Sequence, residues 1–129
     1  MSAADVIATV TTLATRASDL ELLVLHGSRA RGDAREGSDW DLAYLAVDGF
    51  DPDAFRAEVV FALRDDRIDL ADLASAGGLL RYRVARDGQV LHEAREGAFE
   101  RFWMQAVTFW CDAEPVLRRG YEAVLAEYG

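Results

Sequence analysis

Apolar residues recur along the chain at spacings typical of helices and strands. Between residues 3 and 18 they fall three and four positions apart, which predicts an amphipathic helix. Four short apolar runs predict buried strands, and these occupy residues 21–25, 42–47, 67–73 and 90–92. The helix and the strand runs together predict a chain that mixes both kinds of element.

Capping and helix-breaking residues place the helices between and after these runs. Asp51 and Pro52 suit the N-cap and the first position of a helix that ends near Leu63 or Arg64. Three further helices are predicted, near residues 79–87, near residues 99–110 and from Pro115 onward.

This order of elements predicts an α/β (α+β) fold, with a small mixed β-sheet flanked by helices and followed by C-terminal helices. The length of 129 residues fits one domain. We divide it into an N-terminal helix at residues 3–18, a core at about 20–93 and a C-terminal helical segment at about 97–128. The hydrophobic fraction of 51% is typical of a folded chain rather than a disordered one.

Charge and residue usage exclude several function classes. The formal net charge of −9 repels polyanions, so no stable nucleic-acid partner is expected. All 14 basic residues are Arg, which excludes P-loop and Schiff-base lysine chemistry and leaves Arg as the cationic side chain for phosphates. The sequence shows neither a run of ~18 apolar residues nor a signal peptide, so we expect a cytoplasmic protein without a membrane span.

A turn after the first apolar run suits a phosphate. Gly27 allows the backbone to approach a ligand closely, and Ser28 is expected to cap a short helix that ends at Gly32. The free amides of a helix start, together with the Ser28 hydroxyl, are groups that bind phosphate.

Carboxylates lie at the start of the second strand and within the third. Asp39 and Asp41 are two residues apart, so in a strand both point to the same face. Two adjacent carboxylates repel each other, and a hard divalent cation such as Mg²⁺ removes that repulsion. Asp69 is our candidate for the third carboxylate, and Asp72 is the alternative, which points the other way in a regular strand.

These residues together resemble a known family. The stretch HGSRARGDAREGSDWDL is similar to the nucleotidyltransferase signature, which is Gly-Ser followed by ten residues and Asp-x-Asp. The stretch RIDLADL resembles the strand that carries the third carboxylate in minimal nucleotidyltransferase (MNT) domain proteins. One departure is His26, where the family more often has an aromatic residue such as Phe.

The resemblance implies an antitoxin enzyme. Such proteins transfer AMP from ATP to a tyrosine of a HEPN-domain ribonuclease toxin and thereby silence it. It implies Mg²⁺, expected as two ions, and it carries three sets of roles to this chain. The metal and catalytic residues are Asp39, Asp41 and Asp69; the nucleotide phosphates are held by Gly27 and Ser28; weaker phosphate candidates are Ser38, Arg29 and Arg31.

Two other functions stay open at this point. One is a nucleotidyltransferase that modifies a small molecule, as aminoglycoside-modifying enzymes do. The other is a non-enzymatic antitoxin that neutralises its toxin by contact. The aromatic face near residues 99–110 is expected to pack against the sheet, and any exposed part of it would mark a protein interface in a homo- or hetero-oligomer (Phe99, Phe102, Trp103 and Trp110).

Overall fold

A four-stranded sheet with helices on both faces forms the centre of the molecule. The computed structural model describes residues 1–113 and 115–128. Its elements are, in chain order, α1 (Ala3–Arg16), β1 (Leu20–His26), α2 (Ser28–Arg31), β2 (Trp40–Ala46), α3 (Pro52–Leu63), β3 (Ile68–Asp72), α4 (Gly78–Asp87), β4 (Gln89–Glu93), α5 (Ala98–Asp112) and α6 (Pro115–Tyr128). The predicted fold class is confirmed.

The strands lie in the order β3-β2-β1-β4. The central strand β1 pairs antiparallel with both β2 and β4, while β2 and β3 run parallel. The parallel pair is connected by α3, which begins where predicted because the Asp51 carboxylate accepts a hydrogen bond from the Ala54 amide at 3.1 Å.

Alternation along the strands divides the core into two layers. In β1, Leu23 and Leu25 pack with the residues of α1 and α3, whereas Leu22 and Val24 pack with those of α4 and α5. Burying each of these side chains stabilises the fold by about 1.5–3 kcal/mol. We call the first layer the α1/α3 face and the second the α4/α5 face.

The predicted elements are found, with shifts of one or two residues at their ends. The first helix ends at Arg16 rather than at residue 18. The second strand begins at Trp40, two residues earlier than predicted, so that Asp41 lies inside the strand and Asp39 just before it. Among the described residues, no helix is both long and apolar enough to cross a membrane.

The aromatic face of α5 is mostly core. Phe102 and Trp110 are buried, and Phe99 is half-buried against the same layer. Trp110 also stacks on Tyr82 of α4, with ring centroids 4.2 Å apart. Trp103 differs, because 41% of its surface is exposed. The expectation of core packing is therefore confirmed for part of the face and not for Trp103.

Candidate active site

Three ionisable side chains form a row across the sheet. His26 of β1 lies opposite Asp41 of β2, and Asp41 lies beside Asp69 of β3 in the parallel pair. Residues paired in this way point to the same face of a sheet. The neighbours of Asp41 pack on the α1/α3 face, so the row lies on the α4/α5 face. The alternation of side chains along β2 and β3 is what brings Asp41 and Asp69 together.

Asp39 reaches the same region from the loop before β2. Together with Asp69 it lines an open cleft of about 290 Å³. The alternative third carboxylate, Asp72, pairs with Tyr44 and lines a different cleft with Phe50. The structure therefore groups Asp39, Asp41 and Asp69 and leaves Asp72 outside the group.

Burial and neighbouring charges both act on the Asp41 carboxylate. Burial raises the pKa of Asp41 above its ordinary value of 3.8, and the negative charges of Asp69 and Asp39 raise it further. The guanidinium groups of Arg83 and Arg31 oppose this effect. Asp41 is therefore held in a negative potential that disfavours its own ionised form.

The carboxylates suit a divalent cation but are not assembled around one. Within residues 1–113 and 115–128, no group of three His, Cys, Asp or Glu side chains is spaced to hold a metal ion. After burial, the negative charges of Asp69 and Asp39 raise the pKa of Asp41 through mutual repulsion. A cation would remove the repulsion, and carboxylate oxygens are ligands that Mg²⁺ prefers. The chemistry of the residues present therefore fits Mg²⁺.

Gly27 makes the turn beside Asp41 possible. Its φ of +72° lies in the left-handed region, and a Cβ at this position would collide with Oδ2 of Asp41. Gly27, not Ser28, occupies the N-cap of α2, and its side-chain-free backbone leaves Ser28 as the first helical residue. The prediction that Ser28 caps this helix is therefore wrong. Among the described residues, the Ser28 hydroxyl has no hydrogen-bond partner.

Arg29 and Ser38 hold the loop between α2 and β2. The Arg29 guanidinium lies over the Trp40 ring, 4.4 Å from its centroid, and donates a hydrogen bond of 2.9 Å to the Ser38 carbonyl. Trp40 packs on the α1/α3 face, opposite to Asp41. The Arg29 guanidinium is thus engaged by Trp40 and the Ser38 carbonyl on the face opposite to Asp41, and its role as a phosphate ligand stays a prediction. The Ser38 hydroxyl accepts a hydrogen bond from the Arg35 amide at 2.9 Å.

Two other arginines bring positive charge to the row. Arg31 pairs with Asp33 at 3.3 Å and approaches Asp87 at 3.9 Å. Arg83 of α4 lowers the pKa of Asp41 more than Arg31 does. Arg83 was not predicted from the sequence, because the pattern of apolar residues in α4 does not reveal which of its polar side chains lies near the carboxylates. Because the chain has no lysine, the sequence did indicate that any cationic side chain near the carboxylates other than histidine would be an arginine.

His26 is a second residue, after Arg83, whose place beside the carboxylates was not predicted from the sequence. It is 8% exposed, and its Nε2 atom is buried without a hydrogen-bond partner among the described residues. Burial lowers the pKa of His26 below its ordinary value of 6.5, and the nearby Asp69 charge partly opposes this. The imidazole is therefore neutral at pH 7 and behaves as a packed residue next to Asp41.

Replacing His26 should change how stability depends on pH. A buried imidazole that resists protonation binds fewer protons in the folded chain than in the unfolded chain, so stability falls as the pH drops below about 6.5. This loss approaches about 1.4 kcal/mol per pH unit at most. We expect His26→Phe to remove this dependence of stability on pH. Urea unfolding at about pH 7.5 and about pH 5.5, about one unit on either side of the ordinary imidazole pKa, measures the change.

The other histidine provides the control for this measurement. His92 lies on β4 and is only partly buried. His92→Phe therefore shows how much replacing a less buried imidazole by Phe changes the unfolding free energy by itself. If the unfolding free energy changes equally with pH in the wild type and in His26→Phe, the buried imidazole does not oppose protonation.

Comparisons with known proteins agree with this geometry. Residues 9–97 match the family described as Polymerase beta, Nucleotidyltransferase. The chain is 32% identical over 106 residues to the protein adenylyltransferase MntA of Aphanizomenon flos-aquae (strain 2012/KM1/D3), a match that covers 70% of this chain and 68% of that relative.

Solved structures of toxin–antitoxin complexes share the fold. A crystal structure of a toxin-antitoxin with AMP-PNP superposes with a TM-score of 0.71 at 26% identity, covering 94% of this chain and 96% of that one. An MNT antitoxin in complex with tri-AMPylated Shewanella oneidensis HEPN toxin superposes with a TM-score of 0.68 at 23% identity, covering 98% of both chains. The family match includes the Gly27 turn and the whole carboxylate row, and on this evidence the chain belongs to the Polymerase beta nucleotidyltransferase family.

Proposed function

We propose that this chain is an antitoxin enzyme that transfers AMP from ATP to a tyrosine of a partner HEPN-domain toxin and so neutralises it. The observation that carries the proposal is the row of Asp41 and Asp69 beside Gly27, with Asp39 in the same cleft. The adenylyltransferase name of the 32% identical relative supports the reaction, and the AMP-PNP in the crystal structure of a similar toxin-antitoxin supports the nucleotide.

The residues of the cleft divide into two roles. Asp39, Asp41 and Asp69 would hold Mg²⁺, expected as two ions, which supplies positive charge to the phosphate oxygens when bound. Gly27 and Ser28 would contact the nucleotide phosphates, because the turn has no side chain at Gly27 and the Ser28 hydroxyl has no other partner among the described residues.

Polar groups next to this turn complete the nucleotide site. Arg31 lies three residues after Ser28 and brings positive charge to Asp41. Ser38 lies at the rim, just before Asp39. Its hydroxyl hydrogen is free to donate while its oxygen accepts from the Arg35 amide.

The reaction is an in-line displacement at the α-phosphorus of ATP. The tyrosine oxygen forms a bond to this phosphorus, and the bond between the α-phosphorus and the bridging oxygen breaks. Pyrophosphate leaves with that electron pair. Asp69 would accept the proton of the tyrosine hydroxyl, because it is an exposed carboxylate at the open side of the cleft.

Mass spectrometry of the partner after incubation with this chain, ATP and Mg²⁺ tests the proposal. We expect AMP adducts on a tyrosine of the toxin, and we expect none when EDTA replaces Mg²⁺. A toxin that is neutralised without any adduct would favour a non-enzymatic antitoxin. Transfer of labelled AMP to a small acceptor but not to the toxin would favour the small-molecule alternative.

A further inference from the structure

The C-terminal half of α4 lies directly over the end of the sheet that carries the carboxylate row. Val84 and Ala85 are buried in the α4/α5 layer. Gly88, just after the helix, packs so closely against Val24 of β1 that a Cβ there would lie 2.5 Å from a Val24 methyl group. Val24 is followed two residues later by His26, on the same face of the strand. The last turns of α4 therefore border the row.

Arg83 projects from this part of α4 toward the site. Asp87 lies four residues after Arg83, hence on the same side of the helix, and its carboxylate lies 3.9 Å from the Arg31 guanidinium of α2. That side of α4 therefore faces the turn that begins at Gly27. In agreement, the Arg83 charge lowers the pKa values of Asp41, His26 and Asp87.

The donors of Arg83 are not used by other described side chains. Arg83 has neither a hydrogen bond nor an ion pair within 4.0 Å in the part of the chain that the structure describes. The arginines around it differ. Arg81 donates to the Leu73 carbonyl, and Arg86 donates to the Asp87 carboxylate at 2.9 and 2.7 Å. A half-buried guanidinium with free donors beside carboxylates is suited to bind an anion.

The positions of the charged side chains indicate which phosphates of a nucleotide Arg83 would bind. Along the sheet, Asp69 lies on the β3 side of Asp41, next to the open cleft with Asp39. Arg31 and Arg83 come from α2 and α4, which contact β1 on the other side. In an in-line displacement the acceptor and the leaving group lie on opposite sides of the α-phosphorus. Positive charge on the β1 side suits the leaving pyrophosphate, and the β3 side is left for the acceptor hydroxyl.

We infer that Arg83 binds the β- and γ-phosphates of the nucleotide and thereby holds the pyrophosphate as it leaves. This inference rests on the proposed function. It assigns a binding residue to an element that lies outside the Gly-Ser and Asp-x-Asp motifs. It also explains why this guanidinium has no hydrogen-bond or ion-pair partner among the described residues, since its partner would be the substrate.

Binding of ATP and of AMP, measured by calorimetry with Mg²⁺, tests this inference. Arg83→Ala should weaken ATP binding by about 10-fold or more, which corresponds to the loss of a charge-assisted hydrogen bond. AMP lacks the two outer phosphates, so its affinity should stay within about 2-fold of the wild-type value, because no such bond is lost. Arg83→Lys should lie in between, because lysine retains the charge without the two-pronged donor geometry.

Arg86→Ala is the matched control. It removes an arginine from the same helix, three residues away, whose guanidinium is bonded to Asp87. Its ATP and AMP affinities should equal those of the wild type. Thermal unfolding of each variant identifies any loss of folding, and Arg83→Gln replaces Arg83→Ala if the latter does not fold.

The possible outcomes separate the two proposals. A wild-type chain that binds neither nucleotide would contradict the proposed function itself. Wild-type binding with unchanged ATP affinity in Arg83→Ala would overturn the inference alone. Equal losses for ATP and AMP would also overturn it, because Arg83 would then act on the whole site through Asp41 rather than on the outer phosphates.

Discussion

Asp41→Asn should reduce AMP transfer to the partner toxin by about 1,000-fold or more, which corresponds to about 4 kcal/mol of transition-state stabilisation. The substitution keeps the size of the side chain and removes the charge that would bind Mg²⁺. Asp41 is the central member of the row, next to Asp69 and against the Gly27 turn. Its loss therefore affects both the metal and the phosphate side of the site. Mass spectrometry of the toxin, with quantified adducts over time, measures the effect.

The same variant should fold at least as well as the wild type. Because the pKa of Asp41 is raised in the folded chain, its ionisation destabilises the fold, and this cost begins as the pH rises above the ordinary value of 3.8. Asn removes the repulsion with Asp69 and Asp39, and we expect a gain of about 0.5 kcal/mol in unfolding free energy. If the variant is inactive because it unfolds, its unfolding free energy would instead be lower than that of the wild type.

Asp72→Asn is the matched control for Asp41→Asn. It changes the same functional group on the neighbouring strand, at a position that lines a different cleft. The Asp72 carboxylate accepts a hydrogen bond from the Ala74 amide at 2.9 Å, which the Asn side-chain oxygen can also accept. Transfer at the wild-type rate is expected. Equal losses in the two variants would mean that the general negative potential, not the row, supports activity.

Gly27→Ala should decrease AMP transfer on the order of 100-fold, the effect expected when a reacting group is displaced by about 1 Å. The new Cβ would collide with Oδ2 of Asp41, which must then move out of the row. The Gly27 backbone, with φ of +72° and ψ of −159°, is one that essentially only glycine adopts, so a Cβ adds a destabilisation of about 1–3 kcal/mol. Adduct formation and urea unfolding, measured on the same preparation, separate the two effects.

Gly32→Ala provides the reference for the backbone cost. Gly32 ends α2 with a φ of +82°, and a Cβ there would meet nothing within 4 Å. Gly32→Ala should lose about 1–2 kcal/mol of stability through its αL backbone and retain its transfer rate. If Gly32→Ala loses as much activity as Gly27→Ala, strain in α2 rather than contact with Asp41 explains both results.

The sequence was sufficient for the parts of the site that follow from local rules. Asp41 and Asp69 share a face because side chains alternate in strands, and the apolar residues around them revealed the strands. The turn was predicted from Gly27, but the sequence did not show that Gly27 itself occupies the N-cap with a positive φ. The need for glycine at this position comes from the close approach of Asp41, which lies on the neighbouring strand β2.

The arginines show where local rules end. Arg29 lies next to the motif in sequence, yet its guanidinium stacks on Trp40 on the opposite face of the sheet. Arg83 lies more than 40 residues after Asp39 along the chain, yet its charge lowers the pKa of Asp41. Which guanidinium faces the carboxylates depends on how α2 and α4 pack on β1, and helix packing is not encoded in the spacing of a motif.

The alternation along β2 has a consequence for how this activity can be lost during evolution. Trp40 and Leu42 fill one core layer, and Asp41 between them faces the other side. Deleting one residue within this strand would exchange the side chains of the two faces. A carboxylate would then enter the core, and the indole would leave it. Such a chain would not fold. Inactive relatives that remain folded should therefore differ from active ones by point substitutions at Asp39, Asp41 or Asp69, and not by insertions or deletions within this strand.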